Sequence, residues 1–214
     1  SVEPSAFDPA TCYIAGTKYK SGDFTPYLYK TSDYGKTWTK ITNGINPEHF
    51  TRVVREDPKQ KGLLYAGTET GMYISFNDGK NWKPFQLNLP IVPITDLTIK
   101  DNSLIVATQG RSLWMIDDLT VIHQLYYADK SKNMLFKPKD TYRMRGSSIK
   151  GSKTNGTNLQ NGVITYFNLN NYDEKDQVSL TYFDTKGDTI KTYSTKSKDN
   201  KLSVKKGTNQ FIWN

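Results

Sequence analysis

The stretch TSDYGKTW (residues 31–38) returns 44 residues later as SFNDGKNW (75–82). Aligned on glycine and tryptophan, Thr31 meets Ser75, Asp33 meets Asn77, Gly35 meets Gly79, Lys36 meets Lys80 and Trp38 meets Trp82. The flanks repeat as well. CYIAGT (12–17) corresponds to LLYAGT (63–68), and YLYKT (27–31) to GMYIS (71–75). A weaker third copy runs from SLIVAT (103–108) into RSLWMIDD (111–118), about 41 residues further on. A period in the 40–45 residue range is the mark of a repeat architecture, in which each unit buries its faces on its neighbours.

Within residues 1–125, short alternating runs are separated by Gly/Asn/Asp/Pro clusters: CYIAGT, PYLYKT, WTKI; TRVVRED, LLYAGT, GMYISF, WKPFQL; ITDLTIKD, SLIVAT, SLWMIDD, VIHQL. Such runs read as strands joined by tight turns. About four strands per repeat is the content of one β-propeller blade. TSDYGKTW then joins the third and fourth strands of a blade. A short Asp side chain there accepts backbone N–H bonds lost at the turn. Gly35 supplies a positive φ, and Trp38 covers the loop base with an apolar face. Asn77 standing where Asp33 stands keeps the acceptor and discards the carboxylate. A turn tolerates that exchange, whereas an acid–base catalyst does not.

Composition agrees with an all-β protein. Aromatic residues make up 13% of the 214, with 14 Tyr, and Tyr, Trp, Val, Ile and Thr suit half-buried strands. No run approaches 18 apolar residues, so no transmembrane helix is expected. SVEPSAFDPA lacks the basic start and apolar centre of a signal peptide. Cys12, the single cysteine, sits in an alternating strand run and reads as a small buried hydrophobe. The net charge of +8 is unevenly spread. Residues 1–125 hold 13 basic and 13 acidic side chains, and residues 126–214 hold 16 and 8. This step supports a boundary near residue 125. Residues 126–160 read as a basic connector with a strand at NMLF or TYRM. Alternation resumes in GVITYFNL, QVSLTYFD, DTIKTYST, KLSVKKG and NQFIWN, with DTKGD (184–188) as a hairpin turn. Strands at this spacing predict an immunoglobulin-like β-sandwich over 161–214.

TSDYGKTW fits the Asp-box, or BNR, pattern Ser/Thr-x-Asp-x-Gly-x-x-Trp, and SFNDGKNW is a degenerate copy. SLIVATQGRSLWMIDDL (103–119) resembles the last-blade segment of large bacterial sortilin-like BNR-repeat proteins, with Gln109 where those often carry His. The terminal-blade motif comprises Gly110, Arg111, Trp114, Asp117 and Asp118. GVITYFNL…QVSLTYFDTKGDTIKTYST…GTNQFIWN resembles the Ig-like module that follows the propeller in those proteins, related to that of the flagellar hook-capping protein. The resemblance implies C-terminal propeller blades (1–125), a connector (126–160) and an Ig-like module (161–214). It further implies structural boxes at Thr31, Asp33, Gly35, Trp38, Ser75, Asn77, Gly79 and Trp82, a secreted or cell-envelope location in a bacterium, and no cofactor. About three blades do not close an ordinary ring. The expected first partner is therefore the remainder of the same propeller, lying before Ser1, or another protein chain.

No recognisable catalytic constellation accompanies this pattern. His49 and His123 fall in different repeats, and no HExxH, Cys/His cluster, GxSxG or phosphate loop occurs. A sialidase clamps its substrate with several arginines, and the repeats offer only Arg52, Arg55 and Arg111. A glycosidase needs two carboxylates across about 5–10 Å. Glu69, Asp96, Asp117 and Asp118 are available, but the sequence sets no two of them across a cleft. Asp117 and Asp118 read as turn caps pairing with Arg111. NDGKNW lacks the glutamate and repeated oxygen ligands of a calcium loop. KPKDTYRMRGSSIKGSK (137–153) carries six basic residues and one acidic. Lys137, Lys139, Arg143 and Arg145 are thus candidates for contact with a glycan or anionic surface. Nucleic acid is disfavoured, since no stacking platform is legible there. Two functions follow: a non-catalytic interaction scaffold, or part of a glycoside hydrolase whose catalytic carboxylates lie outside this chain.

Overall fold

The structure, a computed structural model, describes residues 1–128, 131–142 and 161–214. It divides into two compact units, Ser1–Leu119 and Thr120–Asn214.

The first unit holds three consecutive antiparallel sheets. Strands β1 (Val2–Pro4), β2 (Cys12–Lys18), β3 (Asp23–Thr31) and β4 (Thr39–Lys40) form the first, in that order. Strands β5 (Thr51–Glu56), β6 (Leu64–Thr68), β7 (Gly71–Ser75) and β8 (Lys83–Pro84) form the second. Strands β9 (Ile94–Lys100), β10 (Ser103–Thr108) and β11 (Leu113–Ile116) form the third. Each sheet is an up-and-down meander, as short alternating runs joined by tight turns require.

The sheets stack through their first strands. β5 packs on β1, β2 and β3, and β9 packs on β5 and β6. The first seam buries Tyr13, Ala15 and Leu28 of sheet one against Val54, Leu64, Ala66, Tyr73 and Trp82 of sheet two. Ile41 and Ile45, from the connection between these sheets, complete that core. Every residue of β6 and β7 is buried, because the second sheet is covered on both faces. At the second seam Gly67 has a specific use. A Cβ there would lie 2.6 Å from Ile94 Cγ2 and 2.7 Å from Val53 Cγ1, so only glycine lets β9 come this close. The architecture is all-β and propeller-like.

In the second unit, β12 (Met134–Leu135) pairs with β13 (Val163–Leu169). β14 (Ser179–Phe183) and β15 (Thr189–Ser194) form a hairpin, and β16 (Gly207–Trp213) returns to pair with β13. The three-stranded and two-stranded sheets share a core of Phe167, Leu169, Leu180 and Leu202.

Two local expectations are corrected, and one strand is added. VIHQL forms a helix, Thr120–Tyr126, instead of a strand. Its apolar residues Val121, Ile122 and Leu125 recur at helical spacing and do not alternate. KLSVKKG contributes only a bridge, Ser194 to Lys201, and buries Leu202 as a plug whose N–H donates to the Ser194 carbonyl. The strand β1 lies in SVEPSAFDPA, where no alternation announces it; it is held by pairing with β2 over Val2–Ile14, Glu3–Tyr13 and Pro4–Cys12. Of the suggested strand at TYRM, Thr141 and Tyr142 are not in a strand, and Arg143 and Met144 lie outside the described residues.

Candidate functional site

The two repeated loops share one set of turn-closing bonds. Thr31 Oγ1 donates to Asp33 Oδ1 (2.8 Å) and accepts the Gly35 N–H (2.9 Å). Ser75 Oγ donates to Asn77 Oδ1 (3.0 Å) and accepts the Gly79 N–H (3.0 Å). The side-chain oxygens at 33 and 77 each accept a backbone N–H four residues on, from Thr37 and Asn81, both at 2.9 Å. Gly35 (φ +82°) and Gly79 (φ +77°) close the turns from the left-handed region. Each loop is also tied to the first hairpin of its own sheet, Tyr34 N–H to the Ala10 carbonyl and Asp78 N–H to the Gly62 carbonyl. Asp33 further accepts the Thr37 hydroxyl (2.6 Å), and that bond, followed by the Thr37 N–H, holds its carboxyl down to about 2. Both carboxylate oxygens of Asp33 thereby accept from their own loop.

The tryptophans differ in burial. Trp82 is 3% exposed; its indole N–H donates to the Ile41 carbonyl (2.7 Å) and its own N–H to the Asn43 carbonyl (2.8 Å), both on the connection leaving the first sheet. Trp38 is 41% exposed and folds onto its own loop, donating to the Gly35 carbonyl (3.1 Å). Position in the repeat is shared, but the neighbouring sheet that buries an indole is present only for Trp82.

A polar seam that the sequence did not announce joins the first two sheets. Asp78 occupies the place of Tyr34, with the same left-handed backbone (φ +61° and +60°). Its carboxylate accepts from the Tyr13 hydroxyl (2.7 Å) and pairs with Lys30, both on the first sheet. Glu56 lies beside it, accepting from Ser5 Oγ (2.5 Å) and the Gly62 N–H (3.0 Å), with the Tyr13 hydroxyl 3.4 Å away. Burial, then the Asp78 and Glu56 carboxylates, push the Tyr13 phenol far above its ordinary value. Arg55 ties the next seam, donating to the Leu97 carbonyl (2.8 Å) and pairing with Asp96 (2.6 Å) and Glu3 (3.5 Å).

The terminal motif is dispersed. Arg111 and Gly110 (φ +87°) sit in the β10–β11 hairpin, where Thr108 Oγ1 donates to the Ser112 carbonyl (2.6 Å) and Trp114 Nε1 to the Arg111 carbonyl (2.9 Å). Asp117 and Asp118 follow the far end of β11, and Asp118 accepts from Asn102 Nδ2 (2.7 Å). The expected pairing of Arg111 with these carboxylates is therefore not made. Lys137 and Lys139 are exposed; Lys137 is anchored by its backbone to the Gln124 side chain. Arg143 and Arg145 lie outside the described residues. Among the described residues no group of three or more His, Cys, Asp or Glu could hold a metal ion, and no helix is long and apolar enough to cross a membrane.

The opposite end of the sheets, where β2–β3 and β6–β7 turn, gathers residues the sequence scatters. Tyr19, in a 3-10 turn at Tyr19–Ser21, stacks on Phe50 at 5.1 Å and 13°. Phe24 tilts against Phe50 at 6.0 Å. The Arg52 guanidinium lies 5.2 Å from the Phe50 ring centre and 5.7 Å from that of Tyr19. Arg52 is held by Glu69, Nε to Oε2 at 2.6 Å. No periodic signal links these positions; only the meeting of three connections does.

No family model matches the chain. Over 62 residues it is 39% identical to a protein of Neosartorya fischeri described as a probable oligoxyloglucan-reducing end-specific xyloglucanase, a match taking in 26% of this chain and 8% of that one. Among solved structures it is similar to the GH74 enzyme of Niastella koreensis (TM-score 0.44, 14% identity, 55% of this chain and 21% of that). It is also similar to YCF48 bound to D1 peptide (TM-score 0.38, 18% identity, 54% and 36%). The chain spans from 8% to 36% of the lengths of these proteins.

Proposed function

We propose that this chain is a non-catalytic, interaction-bearing portion of a larger propeller-like BNR protein of the sortilin-like kind, secreted or displayed on a bacterial envelope. Residues 1–125 supply blades, residues 126–160 a basic connector and residues 161–214 an Ig-like module. Its partners are other propeller sheets or protein chains and glycans, with Lys137, Lys139, Arg143 and Arg145 available to an anionic surface. The observation that carries this reading is the set of turn-closing bonds that the loops at 31–38 and 75–82 share, although Asp33 stands in one and Asn77 in the other. A position at which an amide closes the turn with the same bonds as a carboxylate is scaffold. The test is release of reducing ends from xyloglucan by the full chain: none is expected, and turnover abolished by Asp33→Asn with unchanged melting would overturn the reading. The second reading, a piece of a glycoside hydrolase whose catalytic carboxylates lie elsewhere, is favoured by the 62-residue match to the xyloglucanase. Turnover by the intact gene product together with inactivity of this chain would support it.

A further inference from the structure

We propose that Tyr19 and Phe24, at the hairpin end of the first two sheets, form a binding platform for a neutral saccharide chain. The inference rests on the interaction-scaffold reading and names the ligand class of one surface.

The rings rest against a buried ring yet stay partly exposed. Phe50, on which both rings rest, is 3% exposed, whereas Tyr19 is 38% and Phe24 53% exposed. Core closure does not require the two outer rings. Stacking on Phe50 covers one face of Tyr19 and the Arg52 guanidinium lies 5.7 Å from the ring centre, and the ring remains 38% exposed. A ligand suited to a flat exposed ring has one weakly polar C–H face and a polar edge, which describes a pyranose.

The polar edge is also provided. Arg52 Nε and Nη2 both engage Glu69 Oε2, at 2.6 and 2.5 Å. This leaves Arg52 Nη1 and Glu69 Oε1 as a donor and an acceptor beside the rings. Two vicinal hydroxyls match that pair, one accepting from Nη1 and the other donating to Oε1. Glu69 neutralises Arg52, so this pair reads hydroxyl geometry without a net charge of its own, while the exposed Lys18 and Lys20 beside Tyr19 make an anionic oligosaccharide the necessary control.

The test is calorimetric titration of the full 214-residue chain with xyloglucan oligosaccharides and cello-oligosaccharides, with oligogalacturonate as the anionic control. Binding to a neutral probe, insensitive to salt, is expected. Phe24→Ala and Tyr19→Ala should each weaken it by about tenfold or more with unchanged melting temperature, since an exposed stacking ring contributes to binding far more than to folding. Tyr19→Phe should retain binding and Glu69→Gln should weaken it. Should Tyr19→Ala fail to fold, the more exposed Phe24→Ala decides. Absence of binding to every neutral probe, binding indifferent to Phe24→Ala, or preference for oligogalacturonate would overturn the platform. Release of reducing ends from the bound probe would instead overturn the non-catalytic reading and leave the platform standing.

Discussion

Trp38 and Trp82 show how far a residue's contribution depends on what lies across from it. Removing the Trp82 indole empties a site between two sheets, and Trp82→Ala should cost about 3–5 kcal/mol in urea unfolding. Trp38→Ala removes a half-exposed ring and one local bond, and should cost about 1 kcal/mol or less. Equal effects would show that both indoles are buried. Asp33 carries a pH signature. Its folded value, near 2, lies below the ordinary 3.8, so its contribution is present above about pH 4 and is lost as pH falls through 2. Asp33→Asn should lower melting modestly near neutrality and remove that part of the acid limb, so that the two curves converge as pH falls towards 2. Melting temperatures of the two proteins from pH 2 to about 6 check this, and parallel curves would refute it.

The seams are where neighbouring elements constrain each other most. A methyl at Gly67 would meet Ile94 and Val53 at once, and Gly67→Ala should cost about 1–3 kcal/mol by forcing β9 away from β6. Tyr13 and Lys30 act on one carboxylate, Asp78. Tyr13→Phe and Lys30→Met should therefore be non-additive, with a coupling of about 0.5–3 kcal/mol in a double-mutant cycle; simple additivity would mean that Asp78 is not shared. Strands and hairpins were legible because period-two alternation and Gly/Asn turns are local signals, read from CYIAGT or GMYIS without knowing their partners. The Asp78 seam was not legible, since it joins residues 48 and 65 positions apart in sequence. Nor was the Tyr19–Phe50 stack, whose rings sit on separate connections. VIHQL carries an ambiguous local signal: its apolar residues fit a strand until helical spacing is weighed.

At the scale of the whole molecule, the two units should report separately. Trp213 packs on Tyr182 at 4.4 Å in the second unit, while Trp82 belongs to the first. Leu202→Ala opens the smaller core and should cost about 2–5 kcal/mol there. Calorimetry should show one transition lowered and the other fixed, and a single transition shifting as a whole would mean that the units melt together. The bond from the Trp82 indole to the Ile41 carbonyl has a further consequence, in time instead of space. It runs backwards along the chain, so the connection leaving the first sheet is completed by a residue made 41 positions later. During synthesis the first repeat waits, its apolar flank uncovered, until the second repeat's loop has cleared the ribosome. Maturation of this array is thus tied to elongation, and a pause in translation between the two repeats would leave the first one open to mispairing or to a chaperone.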